Sequence, residues 1–364
     1  MSLTGREKEI FRLLKLDPTV SREEIAEKLN ISSSAVGTHI HNLNKKGYIK
    51  GKGYIISPEK KIVVVGGSNF DLKGYPFMRC VRGSSSPGFI NESLGGVARN
   101  IAENLALLDV NTILLTAVGE DHYGKVIINE TMKPSLNLNH VVRTTRYNTG
   151  KYMVCLNSNG DLLNAISDME IMKEITPEFL QKNSGIMENA SYLVIDTNLM
   201  KESIYYLLKL AEAYQITTVV DTVSVDKSNK IKNHIDKIDI LTPNLDEILN
   251  IFDIEKKTDV LDNLDLIKTE YQKRGLDLTI LVSMGRNGVF LINENEDEYI
   301  PALPLEYEKY RETTGAGDAL TAGFVYGLIE GKDLKEAARI GMKAARVALM
   351  TERTVNLRLK RIML

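Results

Sequence analysis

Residues 61–67 read Lys61-Ile62-Val63-Val64-Val65-Gly66-Gly67, an apolar, β-branched run stopped by two glycines. A run with no polar alternation suits a strand covered on both faces, and the glycines end it. Similar runs recur at Thr112–Leu115, Tyr192–Asp196, Thr217–Asp221, Ile238–Leu241 and Leu278–Val282. Amphipathic helical stretches lie between them, at residues 98–108, 201–214 and 245–252. That alternation predicts an α/β domain, a parallel sheet wrapped by helices. Sheets of this kind place their sites beyond the carboxyl ends of the strands, so the polar residues after each run are the candidates.

After the first run come Gly67, Asn69 and Asp71. The Asp carboxylate can accept two hydrogen bonds from a diol, and Asn69 can both donate and accept. Residues 73–94 and 144–167 are polar and turn-rich, and both are expected to form strands of a small lid that closes water out. Gly95-Gly96 opens a helix containing Arg99 and Asn100; the glycines can hinge and can let a substrate approach the backbone. Thr242-Pro243-Asn244-Leu245-Asp246-Glu247 ends a strand and begins a helix. Glu247 there either caps the helix or holds hydrated Mg²⁺ through water. Ser283-Met284-Gly285-Arg286-Asn287-Gly288 follows the next strand and could bring backbone against a phosphate or an adenine ring. Singly, each of these is also an ordinary turn.

Near the end, Glu312-Thr313-Thr314-Gly315-Ala316-Gly317-Asp318 runs into the small-residue helix Ala319-Leu320-Thr321-Ala322-Gly323-Phe324. A glycine turn opening a helix offers unpaired N–H groups and the positive dipole end to an anion. Asp318 beside those donors is a proton acceptor, and the pair suits phosphoryl transfer onto a hydroxyl. Taken alone, the turn fits an N-capped helix equally well.

Length and composition bound the rest. A chain of 364 residues has room for two domains, and 43% hydrophobic with 26% charged residues is ordinary for a globular protein. A net charge of −2 predicts no global attraction to nucleic acid or to anionic membrane. No apolar run approaches a membrane span and no signal-peptide pattern opens the chain, so a cytoplasmic protein is expected. Cys80 and Cys155 are too few for a disulfide scaffold and lack metal-ligand spacing. Neither a Walker lysine motif nor the His-Arg-Asp and Asp-Phe-Gly set of protein kinases occurs.

The first 59 residues have a different texture. A helix over residues 4–16 is stopped by Asp17-Pro18, a second starts at Ser21 with Glu24 completing a capping box, and Ser32 caps a third. Short strands at residues 48–50 and 54–56 follow, which predicts a winged helix-turn-helix domain over residues 1–59 and a second domain over 60–364. The third helix presents Ser33, Ser34, Thr38, His39, His41, Asn42, Lys45 and Lys46, with Lys50 and Lys52 on the wing. These types reach base edges and phosphates in a major groove. Residues 1–60 hold 11 Lys and Arg against 7 Asp and Glu, a local +4, so DNA is the expected partner, with a protein-contact module as the alternative.

Jointly, Gly95-Gly96-Val97-Ala98-Arg99-Asn100, Asn244-Leu245-Asp246-Glu247 and Thr313-Thr314-Gly315-Ala316-Gly317-Asp318 resemble, in type, order and spacing, the ribokinase-like (PfkB) family of carbohydrate kinases. The resemblance covers about residues 61–356. It implies a three-layer α/β/α domain with a β-sheet lid that pairs with a second subunit, and ATP with Mg²⁺ as cofactors. It implies Asp318 as the catalytic base and Gly315, Ala316 and Gly317 as the anion hole. Asn69, Asp71, Gly95, Gly96 and Asn100 become sugar ligands. Asn244, Glu247, Ser283, Gly285, Gly288, Thr314 and Asn356 become ATP-side residues, with Glu247 holding Mg²⁺ through water. Glu312 departs from the Asp or Asn that the family carries there, at a position associated with a monovalent cation.

Within the family, Ser86-Pro87-Gly88, Ala165-Ile166-Ser167-Asp168-Met169, Asp221-Thr222-Val223-Ser224 and Thr354-Val355-Asn356 are most similar to pseudouridine kinases. Ser85, Ser86, Thr149 and Lys151 are then the candidates for a uracil edge. The expected activity is phosphorylation of a pentose 5′-hydroxyl, that of pseudouridine. The alternatives are a ribokinase, fructokinase or other nucleoside kinase, and a transcriptional regulator using the kinase-like domain as a ligand sensor.

Overall fold

The computed structural model describes residues 3–49, 61–80, 83–158, 162–304 and 314–363. Lys50, Lys52, the second wing strand, Glu312 and Thr313 lie outside the described residues. The chain divides into two compact units, Met1–Glu59 and Lys60–Leu364.

In the first unit, helices α1 (Gly5–Leu16), α2 (Arg22–Leu29) and α3 (Ser33–Lys45) each begin on a side-chain cap. Thr4 and Ser21 form reciprocal capping boxes with Glu7 and Glu24, and Ser32 accepts from Ala35 N–H. Each cap satisfies donors that the first turn leaves orphaned. The three helices close over Ile10, Leu14, Ile25, Val36, Ile40 and Leu43. Phe11 joins them and meets the Tyr48 ring edge-on at 5.4 Å.

The second unit carries fifteen described strands. They are β1 (Lys61–Val65), β2 (Asn69–Pro76), β3 (Gly88–Gly95), β4 (Asn111–Leu115), β5 (Ala117–Gly119), β6 (Leu136–Asn137), β7 (Val142–Thr144) and β8 (Gly150–Leu156). The series continues with β9 (Leu162–Asp168), β10 (Ala190–Asp196), β11 (Thr217–Asp221), β12 (Ile240–Thr242), β13 (Thr279–Ser283), β14 (Val289–Ile292) and β15 (Asp297–Ile300). Nine form one sheet in the order β15-β14-β13-β12-β11-β10-β1-β4-β6, parallel from β13 to β6, with β14 and β15 antiparallel at one edge.

Helices cover both faces. On one side α7 (Lys201–Tyr214), α9 (Leu245–Phe252) and α10 (Val260–Lys273) pack over Leu193, Ile195, Val220 and Leu241. On the other, α4 (Val97–Leu107), α11 (Ala316–Ile329) and α12 (Leu334–Ala348) pack over Ile62, Val64, Val194 and Val219. Alternate residues of one strand thus feed opposite cores, which is why the strands read as unbroken apolar runs.

Helix α11 lies close against α12. A Cβ on Gly323 would stand 2.8 Å from the Ala344 Cβ, and one on Gly341 would stand 2.6 Å from the Leu320 carbonyl oxygen. The glycines permit that approach, and α11 carries the 315–318 turn at its start.

Four strands form a separate sheet, β3-β2-β8-β9. This lid begins at Asn69, before the expected residue 73, because β2 emerges almost directly from β1. Val142–Thr144 is not part of it: β7 pairs with β5 in its own two-stranded sheet. The lid's second half therefore starts at Gly150.

Candidate active site

Two motifs distant in sequence, residues 95–100 and the 314–318 turn, meet through Asn100 and Asp318, while Asn244–Glu247 follows β12. Gly315 caps α11 in the left-handed region at φ 86°, with the Thr354 carbonyl where a Cβ would have to go. A side chain is barred there, so the turn stays tight. At Gly317 a Cβ would meet nothing within 4 Å, and the first-turn N–H groups of α11 have no partner inside the helix. Asp318 follows on that first turn.

Its carboxylate Oδ2 accepts from Asn100 Nδ2 at 2.5 Å, joining the two ends of the kinase-like sequence pattern. Burial is the largest influence on Asp318 and pushes its pKa up to about 7. The Asn100 donor and the Arg99 charge act in the opposite sense, while Asp196 and Asp71 add to the rise. A carboxyl near neutrality is matched to taking a proton from an alcohol at physiological pH.

Near enough to act on Asp318, Asp71 on β2 is buried and accepts from Asn69 Nδ2 at 2.5 Å. Gly95 lies opposite Asn69 in the β2–β3 ladder, and a Cβ there would drive into the Asp71 carboxylate. Gly96, at φ 98°, packs against Gly67 and Ser68. Asn69, Asp71, Gly95, Asn100 and Asp318 thus lie close together, linked through the Asn69–Asp71 and Asn100–Asp318 bonds.

Asn244, Ser283 and Gly285, expected on the nucleotide side, line a cavity of about 290 Å³ together with Lys256, Lys257 and Asn263. Glu247 is buried. Its Oε2 accepts from Asn244 N–H at 2.8 Å and from the Thr222 hydroxyl, while Oε1 accepts from Asn244 Nδ2 at 2.8 Å. Three of about four lone-pair sites are therefore taken, and the capping box with Asn244 is real. What is left suits a hydrogen bond to one water of a hydrated Mg²⁺, not direct ligation. Among the described residues no group of three or more His, Cys, Asp or Glu is placed to hold a metal ion.

Several sequence-picked residues do other work. Lys151 pairs with Phe70 across β2 and β8, so it shares Phe70's face of the lid and not that of Asp71; its ammonium sits 4.6 Å over the Tyr123 ring. Thr149 is fully buried, its hydroxyl donating to Asp121 and accepting from Gly119 N–H, which binds two loops and leaves nothing for a base edge. Gly288 packs against the Ile300 carbonyl inside a hairpin and is absent from the 290 Å³ cavity. Asn356 donates to the Val347 carbonyl at 2.8 Å and accepts from Arg358 N–H, both within the chain's last turns. Ser86 is half-buried in the β2–β3 connection and Ser85 is exposed beside it.

On α3, Ser34, Thr38, His41 and Lys45 are exposed and His39 and Asn42 half-buried. Ser33 donates to Glu23 at 3.3 Å. Lys46 instead pairs with buried Glu7 at 2.7 Å, helping to hold that carboxyl down at about 2, so it braces α3 against α1.

Four residues escaped the sequence reading. Asp196 accepts from Gly67 N–H at 2.8 Å and Ala98 N–H at 2.9 Å, fixing the β1 exit to the start of α4. Asp221, raised by burial and by the charges of Asp318 and Glu247, accepts from Thr321 on α11 at 3.2 Å. It also accepts from Val223 N–H at 3.0 Å, holding that residue at φ 61°, a conformation costly for a β-branched side chain. Lys73 on β2 donates to Thr314 Oγ1 at 2.8 Å, and Lys227 to Asn198 Oδ1 at 2.6 Å. The two Asp residues had a visible signal, each ending a strand run at the sheet's carboxyl edge. The lysines had none.

Comparison with known proteins agrees with this architecture. The winged helix-turn-helix DNA-binding family model matches residues 3–50, and the pfkB family carbohydrate kinase model matches residues 59–359. The uncharacterized sugar kinase YeiI of Escherichia coli (strain K12) is 33% identical, covering 95% of this chain and 94% of that protein. The pseudouridine kinase of the same organism is 31% identical over 81% of this chain and 92% of its own. Arabidopsis thaliana ribokinase, solved with ribose and ATP, superposes with a TM-score of 0.74 at 22% identity, covering 84% of this chain and 99% of that one. With its paired glycines, Asn100, Asp318 and the glycine-capped start of α11 brought together, the chain belongs to the pfkB family of carbohydrate kinases.

Proposed function

We propose that the second unit transfers the γ-phosphoryl group of ATP to the 5′-hydroxyl of a pentose nucleoside, pseudouridine. The observation that carries this is the 2.5 Å bond between Asn100 and Asp318, which sets a sugar-side amide and a carboxylate of raised pKa at the glycine-capped start of α11. The 31% identity to a pseudouridine kinase supports the nucleoside, and the ribokinase fold supports a pentose.

In this scheme Asp71 and Asn69 hold the ribose diol, and Asn100 orients the sugar. Asp318 takes the hydroxyl proton as the new O–P bond forms and the bond to the β-phosphate oxygen breaks, releasing ADP. The N–H groups of residues 315–317 stabilise charge on the phosphoryl oxygens. Asn244, Ser283 and Gly285 hold the nucleotide, and Glu247 orients water around Mg²⁺, which when bound neutralises phosphate charge.

A second copy of the chain pairs through the lid, which exposes Phe89, Ile90, Met153 and Ile166. The winged helix binds DNA, and the enzyme works in the cytoplasm. A regulatory use, in which the kinase cleft senses its substrate, is favoured only by the winged helix sharing the chain. Ribose, fructose and other nucleosides remain as rival substrates.

The test is ATP-dependent phosphorylation screened over pseudouridine, uridine, adenosine, ribose and fructose, with Asp318→Asn alongside. Pseudouridine should give the highest kcat/KM, and Asp318→Asn should lose roughly 10² to 10⁴-fold, the share of a general base. Preference for free ribose or fructose overturns the nucleoside assignment, and an active Asp318→Asn protein overturns the base.

A further inference from the structure

Arg99 is 1% exposed, yet nothing in the phosphoryl transfer as written uses it. All three of its nitrogens are engaged. Nε donates to the Gly95 carbonyl at 2.9 Å and Nη1 to Glu103 Oε2 at 2.6 Å. Nη2 donates to the Leu94 carbonyl at 3.1 Å, to Thr354 Oγ1 at 2.9 Å and to Asn100 Oδ1 at close range. Glu103 is itself paired with Lys133 at 2.8 Å. A buried guanidinium is costly unless fully paired, and an apolar residue of similar volume would pack at lower cost. Here the geometry spends one nitrogen on an amide oxygen one residue away.

That contact decides which way Asn100 faces. With its oxygen held by Arg99, the amide must turn its NH₂ toward Asp318, where Nδ2 meets Oδ2. Flipped, the same amide would set an oxygen against a carboxylate. The Thr354 contact ties the guanidinium to the carbonyl that closes over Gly315, so one cation touches the amide, the anion turn's neighbour and the lid strand β3.

We propose that Arg99 is a positioning residue for the catalytic base, locking Asn100 as a donor to Asp318 Oδ2 so that Oδ1 is left for the substrate proton. It rests on Asp318 being the base. The charged groups facing Asp318 are Arg99 from α4, Asp71 from β2, Asp196 from β10 and Asp221 from β11, a cation against three carboxylates. Removing the cation, or freeing the amide it holds, raises the Asp318 pKa.

The experiment follows kcat and KM against pH for the full chain with Arg99→Lys and Arg99→Met, with Asp318→Asn in parallel and thermal melting to verify folding. Arg99→Met should move the acid limb of kcat upward by about one unit or more, the scale of losing a close opposite charge. Arg99→Lys keeps the charge but lacks the fork, so its limb should move less while kcat at neutral pH falls roughly 10²-fold, the cost of a misplaced group. Lost packing alone would lower the melting temperature without moving the limb. If Arg99→Met does not fold, Arg99→Lys carries the test. A folded Arg99→Lys enzyme with wild-type kcat and limb, beside a dead Asp318→Asn, overturns the role of Arg99 alone. An active Asp318→Asn enzyme overturns the base assignment beneath it.

Discussion

Asp318, the proposed base, stands among surroundings that oppose one another. Burial and the carboxylates of Asp196 and Asp71 disfavour its charge, and Asn100 and Arg99 restore part of it, leaving a pKa of about 7. The sign of the pH dependence follows. The deprotonated form is the base, so kcat should be low below that value, rise through about pH 7 and level off above it. A kcat profile flat from about pH 5 to 9 would contradict the environment described here. The base was legible as a residue type at the start of a small-residue helix; its pKa was not, because the groups that set it come from β2, β10 and α4.

Among the elements, the α11–α12 pair governs where the anion turn sits. Gly341 has no room for a methyl group beside the Leu320 carbonyl, so Gly341→Ala must push α11 away or strain both helices. We expect a loss of about 1–3 kcal/mol in urea unfolding, the usual cost of overpacking. A fall in kcat should accompany it, because α11 carries Gly315 to Asp318. Unchanged stability and rate would mean that the helices separate freely. Helix periodicity and the caps at Ser21 and Ser32 were visible in sequence, since they are local. The tight approach of α11 and α12 was not, because a glycine in a helix gives no sign of what it faces.

At the scale of the whole molecule, a chain of net charge −2 carries its excess of basic residues in the first unit. Binding to duplex DNA should therefore weaken with salt, and Lys45→Ala, at an exposed position on α3, should reduce the slope of log K against log salt by about 0.9, one phosphate contact. Lys46→Ala should behave differently, destabilising the first unit through the loss of its Glu7 partner, with little change in that slope. Equal slopes for Lys45→Ala and wild type would place the DNA surface elsewhere.

Hydrophobic period, cap residues and motif order are properties of neighbours along the chain, and by themselves they determined the α/β class, the helix-turn-helix order and the kinase family. Tertiary structure alone decided how side chains were shared out. It turned Lys151 to the far face of the lid, committed Thr149 and Lys46 to structural bonds, and recruited Asp196, Asp221 and Arg99 around the base. The physical reason is reach: a strand's pleat sets which face a residue takes only once its register is known, and a buried charge is defined by partners that can lie 100 or 255 positions away in sequence.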